Sequence, residues 1–208
     1  VKFQLVLFDV DSTLIEQEVI DLLGSFTSNG DQIAHITDLA MKGEVNFDEA
    51  LIQRVSFLKG LPDTIFNRVL NQITFSQGAQ ELLSKLKNAG YRVGIVSGGF
   101  HNVVDQLFSP FKLDFMRANT LEIEDGRLTG RILGPIVNRQ AKAQALREFT
   151  TEQKIEISQT VAVGDGANDI EMIKLAGLGV SYHGKPTLNA VADVQINDGN
   201  LLELLDYL

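Results

Sequence analysis

Three short stretches of the chain are apolar almost without interruption: Leu5 to Phe8, Val93 to Val96 and Val161 to Val163. Runs of this length with no polar alternate predict strands buried on both faces. Each stops abruptly at polar residues: Asp9 and Asp11 after the first, Ser97-Gly98-Gly99 after the second, Gly164-Asp165-Gly166 after the third. Between the first two runs the period changes. Ile15, Val19, Leu22 and Leu23 predict a helix near residues 15–27, and Ile33, Ile36, Leu39 and Ala40 a second one stopped at Gly43. Asn46 reads as an N-cap, with Asp48 and Glu49 in the first turn of a third helix that runs to Gly60. Pro62 and Asp63 open a fourth, carried by Ile65, Phe66, Val69 and Ile73.

After that all-helical block, strands and helices alternate. A helix is expected between Gly78 and Gly90, a strand over Arg92–Ser97, a helix near 101–108 and a strand around Leu113–Ala118. The alternation on either side of Asp125-Gly126, within residues 121–132, is a hairpin signal. A helix from Asn138 to about Glu152, a strand ending at Asp165, a helix to Ala176, a short strand near Leu178–Ser181, a helix near 187–192 and a terminal helix from Leu201 complete the chain. This order predicts a parallel sheet covered on both faces. The expected core is residues 1–14 and 76–208, with residues 15–75 inserted after the first strand as a helical cap over the sheet's carboxyl edge.

Composition narrows the chemistry. With 208 residues, 44% hydrophobic and 22% charged, the chain has enough apolar mass for a sizeable core. A net charge of -9 argues against nucleic acid or an anionic membrane as partner, since both reward clustered Lys and Arg. It does not exclude an anionic small molecule, because a bound cation overrides the global sign locally. There is no cysteine, hence no thiol nucleophile or Cys-ligated metal. The first apolar run is broken by Gln4 and closed by Asp9, too short for a signal peptide or membrane span, so a soluble cytoplasmic protein is expected.

In a parallel sheet the three polar strand ends lie along one edge, where such sheets bind ligands. Asp9, Asp11, Asp165 and Asp169 would repel one another there unless a cation intervenes. An all-oxygen donor set favours a hard ion, most simply Mg²⁺, whose usual companion is a phosphate. Lys142 adds a positive charge, and Ser97 with the glycine loop adds hydrogen-bond donors. That set suits phosphoryl transfer, including transfer through a carboxylate nucleophile. Two other readings of these motifs fail. A calcium loop needs glycine where Leu14 stands, and a dinucleotide fingerprint needs glycine where Asp169 stands. The three histidines share no spacing that suggests a site.

Asp9-Val10-Asp11-Ser12-Thr13-Leu14, Val96-Ser97-Gly98-Gly99-Phe100, Lys142 and Gly164-Asp165-Gly166-Ala167-Asn168-Asp169 together resemble the four motifs of the haloacid dehalogenase superfamily, in the form found in its phosphoserine phosphatase family. The resemblance spans nearly the whole chain. It implies an α/β fold with a Rossmann-like parallel sheet core, helices on both faces, a β-hairpin and the helical cap. It also implies a Mg²⁺-dependent hydrolysis of O-phospho-L-serine to L-serine and phosphate. In that scheme Asp9 is the nucleophile and Asp11 the general acid and then base. Asp9, Asp165 and the backbone carbonyl of Asp11 hold the metal, with Asp169 behind them. Ser97, Gly98 and Lys142 hold phosphate, and Asn168 contributes to substrate binding. In the cap, Glu18 is the partner of the substrate ammonium, Arg54 of its carboxylate, and Met41 and Phe47 close over the site. Phe47 and Arg54 share one helix face, and arginine forks onto carboxylates. Two alternatives stay open: a phosphotransferase to a second alcohol such as homoserine, and a non-catalytic binding module on the same fold. Oligomeric state is not legible.

Overall fold

The computed structural model describes residues 2–208. Strand β1 (Leu5–Phe8) lies at the centre of a seven-stranded sheet. It pairs in parallel with β2 (Arg92–Phe100) on one side and β5 (Thr160–Gly164) on the other. Every residue of β1 is buried because both faces are covered. Leu5 and Leu7 join the cluster built on α7 (Arg139–Gln153) and α8 (Ile170–Leu175). Val6 and Phe8 join the one containing α5 (Ala79–Asn88), α6 (His101–Phe108) and the last turns of the chain. The period of two along β1 therefore sorts its side chains into two apolar layers.

Beyond β2 lie β3 (Phe115–Glu124) and β4 (Arg127–Leu133), and beyond β5 lie β6 (Leu178–Tyr182) and β7 (Val194–Ile196). All pairings are parallel except β3 with β4. That hairpin turns through Asp125 (φ 50) and Gly126 (φ 72), both left-handed as a type I′ turn requires. The strand expected at Leu113–Ala118 and the first arm of the hairpin are one continuous β3. β7 had no counterpart in the sequence pattern, because Val194, Gln195 and Ile196 are too few to show a period. A short helix α9 (Pro186–Asn189) precedes it, and the terminal helix from Leu201 is 3₁₀.

The block between β1 and α5 holds α1 (Val19–Gly24), α2 (Gly30–Lys42), α3 (Phe47–Ser56) and α4 (Ile65–Leu70). Asn46 caps α3 as expected, its side chain accepting the Glu49 N–H at 3.0 Å. The first helix is shorter than its apolar period suggested. Ile15 instead forms an antiparallel bridge with Phe75, which holds the two ends of the block side by side. No helix among the described residues is long and apolar enough to cross a membrane.

Candidate active site

The register of the central strands brings the polar ends together. Phe8 lies beside Ile95 and Val163, so Asp9, Ser97 and Asp165 emerge at one edge of the sheet. Asp9, Asp165 and Asp169 each offer an oxygen within 4.8 Å of the others', and all three are buried. Lys142, with no exposed surface, reaches this group from α7: its Nζ lies 2.7 Å from Asp9 Oδ1 and 2.7 Å from Asp169 Oδ1. Asp169 is further held by the N–H groups of Asp165 and Gly166, both 3.1 Å from its Oδ2. Thr13 donates its hydroxyl to Asp165 Oδ1 at 2.9 Å.

One lysine does not neutralise this many buried carboxylates. Burial first, then Asp169, pushes Asp9 up to about 8 against the pull of Lys142. Asp165 is raised well above the usual range by burial and by Asp9. Burial would lower Lys142, but Asp169 and Asp9 outweigh it and raise it. The donor set is all oxygen, buried and short of positive charge, which fits a hard divalent cation. Asp11 stands apart. Its Oδ2 accepts the Val19 N–H at 3.0 Å, while its buried Oδ1 has no partner among the described residues. Burial and the neighbouring Glu18 raise it well above the usual carboxylate range.

A small cavity of about 20 Å³ separates this floor from the helical block. Its walls combine Asp9, Asp11, Gly98, Gly99 and Asn168 from the sheet edge with Glu18, Ile20, Met41, Phe47, Leu51 and Arg54 from the block. Eight of the residues singled out in the sequence thus line one space: Asp9, Asp11, Glu18, Met41, Phe47, Arg54, Gly98 and Asn168. Ser97, Lys142, Asp165 and Asp169 are buried beneath it rather than on its walls. The cavity has room for about one water. A wider cleft of about 530 Å³ adjoins it, with Glu18 and Met41 on the shared wall and Asp165 at its base.

The roof is held in place by side chains. Arg54 is only 2% exposed; its Nε donates to Ala50 O at 3.0 Å and an NH1 hydrogen to Thr37 Oγ1 at 2.9 Å. Thr37 in turn donates to Asp21 Oδ1 at 2.6 Å. Glu18 accepts the Ser12 hydroxyl at 2.7 Å, and burial raises its pKa. Phe47 lies so close to Gly98 that a Cβ there would sit 3.0 Å from its ring tip. At the glycine turn, Ser97 Oγ accepts the Gly99 N–H at 2.8 Å and Asn119 Nδ2 donates to Gly98 O at 2.9 Å. Asn168 Oδ1, like Asp11 Oδ1, is buried without a partner among the described residues, an orphan that a bound ligand would satisfy.

Sequence reasoning assigned no role to Thr13, Ser12, Thr37 or Asn119. Ser12 and Thr13 stood within the first motif, but nothing in the chain announced that Thr13 pairs with Asp165, 152 residues away.

The family model of the haloacid dehalogenase-like hydrolases matches residues 6–174, and the chain belongs to that family. Among its similar relatives is the phosphoserine phosphatase of Streptococcus thermophilus, 46% identical over 98% of this chain and 95% of the relative. A solved phospho-aspartyl intermediate analogue of phosphoserine phosphatase superposes with a TM-score of 0.95 at 41% identity, covering 100% of both chains. A substrate-bound phosphoserine phosphatase structure gives 0.96 at 40% identity, over 100% of this chain and 99% of the other.

Proposed function

We propose that this chain is a Mg²⁺-dependent phosphoserine phosphatase, hydrolysing O-phospho-L-serine to L-serine and phosphate through phospho-Asp9, the step that yields serine. The observation that carries this reading is the single cavity in which Asp9 and Asp11 face Glu18 and Arg54. An amino-acid phosphate has a phosphoryl group, an ammonium and a carboxylate, and the walls hold a complement to each. Residues 15–75 act as the cap that chooses the substrate, and the rest of the chain as the core that cleaves it. The absence of cysteine fits the cytoplasm.

Asp9 attacks phosphorus while Lys142, 2.7 Å from its Oδ1, keeps the carboxylate aligned and takes up charge on the phosphoryl oxygens. Ser97 and Gly98 donate to the same oxygens. Asp11, which lines the cavity and whose buried Oδ1 has no partner among the described residues, gives a proton to the departing serine alkoxide and then takes one from the water that attacks phospho-Asp9. Asp9, Asp165 and the Asp11 carbonyl would hold Mg²⁺, with Asp169 ordering them and Lys142 from behind. The bound ion offsets the repulsion between an anionic nucleophile and an anionic ester. Glu18 receives the ammonium, Arg54 the carboxylate, and Met41, Phe47 and Asn168 enclose them.

The test is phosphate release from phosphoserine, phosphothreonine and sugar phosphates with Mg²⁺, with product analysis in the presence of homoserine. Phosphoserine should turn over fastest and release phosphate stoichiometrically. Faster turnover of a sugar phosphate overturns the substrate; phosphorylated homoserine in excess of free phosphate overturns hydrolysis. No turnover of any ester overturns the enzyme.

A further inference from the structure

The helical block meets the rest of the molecule along two unlike edges. On one side its α3–α4 connection is stitched to the hairpin by backbone. The Gly60 N–H donates to Leu128 O at 2.8 Å, the Leu128 N–H to Leu61 O at 2.9 Å, and the Asp63 N–H to Gly126 O at 2.9 Å. Arg127 NH1 adds a fourth bond, to Gly60 O at 2.8 Å. On the other side α2 and α3 rest against the turn after β5 and the start of α7. Among the described residues, one side-chain pair hydrogen-bonds from α2, α3 or α4 to the sheet's own elements. Asn138 Nδ2 donates to Asp48, 3.1 Å from each carboxylate oxygen.

Asn138 is tied in two directions. Its Oδ1 accepts the Ala141 N–H at 3.1 Å, capping α7, and its backbone carbonyl accepts the N–H of Lys142 at 2.9 Å. With the carbonyl end of the amide committed to the cap, its NH₂ end is aimed off the helix terminus at Asp48. Asp48 follows Phe47 directly and lies in the first turn of the helix that carries Arg54. Its charge sits between the N-terminal ends of α3 and α7, both of which favour an anion. One amide therefore connects the turn bearing Lys142 to the helix bearing Phe47 and Arg54.

We propose that the Asn138–Asp48 pair fastens the free edge of the helical block, making Asn138 a positioning residue for turnover. With the pair made, Phe47 and Arg54 stand over Asp9; with it broken, the block swings about the edge stitched to the hairpin. The proposal rests on the phosphatase reading above. A single charge-assisted bond on a half-buried surface is strong enough to bias closure and weak enough to release within a catalytic cycle.

Asn138→Asp separates fastening from capping, since Asp caps helices as well as Asn does but brings no donor and sets two carboxylates face to face. It should lower kcat/KM for phosphoserine about tenfold, chiefly through KM. An aryl phosphate, which presents neither ammonium nor carboxylate to the roof, should change by less than about twofold. Adding Asp48→Asn reverses the pair, donor on α3 and acceptor on α7, and should recover most of the loss. Asp48→Ala, which leaves α7 intact, should reproduce the substrate-selective loss even if Asn138→Asp folds poorly. Hydrogen exchange in the ligand-free protein should quicken across α2 and α3 in either single variant and return to normal in the reversed pair. That readout is independent of turnover, so it judges the fastening even where wild-type protein ignores phosphoserine. Unchanged exchange, equal losses on both esters, or no recovery in the reversed pair would each overturn the proposal.

Discussion

The sheet edge and the helical block hold their polar groups by different means. At the edge, Asp9, Lys142, Asp165 and Asp169 are fixed by strand register, by backbone N–H groups and by one another, with little or no solvent exposure. In the block, Arg54 and Glu18 are each set by a single hydroxyl, Thr37 for the first and Ser12, from the end of the first strand's motif, for the second. Under the proposed function, the lower wall carries the reaction at phosphorus, and the upper wall carries the groups that tell one phosphate ester from another.

The largest test of that division is Asp9→Asn. Turnover should fall on the order of 10⁴-fold on every ester, with circular dichroism unchanged, because in the proposed mechanism the lost group forms the covalent bond. A variant retaining a tenth of the activity would remove Asp9 as nucleophile. Arg54→Ala should be selective instead. Leaving a substrate carboxylate unpaired should cost about 10²-fold in kcat/KM on phosphoserine and far less on an ester lacking a carboxylate. Equal losses on both would erase the distinction between the walls. Thr13→Val keeps the shape but removes the donor to Asp165. It should weaken Mg²⁺ about tenfold, seen as a shifted Mg²⁺ activation curve with saturated kcat nearly unchanged. An unshifted curve would show that Asp165 needs no such support.

The two walls also differed in how openly the sequence displayed them. Carboxylates ending a buried apolar run are conspicuous, because burying them without a purpose is costly. Asp9, Asp11 and Asp165 were legible on that ground, as was the sheet that aligns them. Lys142 was a candidate by its charge alone and was singled out by the resemblance of its motif; a lysine on a polar helix is normally solvated, and this one has no exposed surface. Glu18 and Arg54 look like ordinary surface charges until folding places them over Asp9. Thr37 and Asn119 could not be found in advance, since each serves a partner that only the tertiary structure supplies. The extent of α1 was misjudged because Ile15 continues the helical period while its backbone pairs with Phe75.

That same Ile15–Phe75 bridge has an evolutionary consequence. The Ser76 N–H donates to Leu14 O at 2.9 Å and the Glu16 N–H to Thr74 O at 3.0 Å, so the chain leaves the sheet and rejoins it at one point. Closing a longer or shorter excursion between two touching residues changes the free energy by only about 0.6 kcal/mol per doubling of length. A lineage can therefore lengthen, trim or rebuild everything between them while inheriting the sheet beneath unaltered. Under the proposed function, substrate preference could then change with the insertion while the residues that cleave phosphate stay as they are.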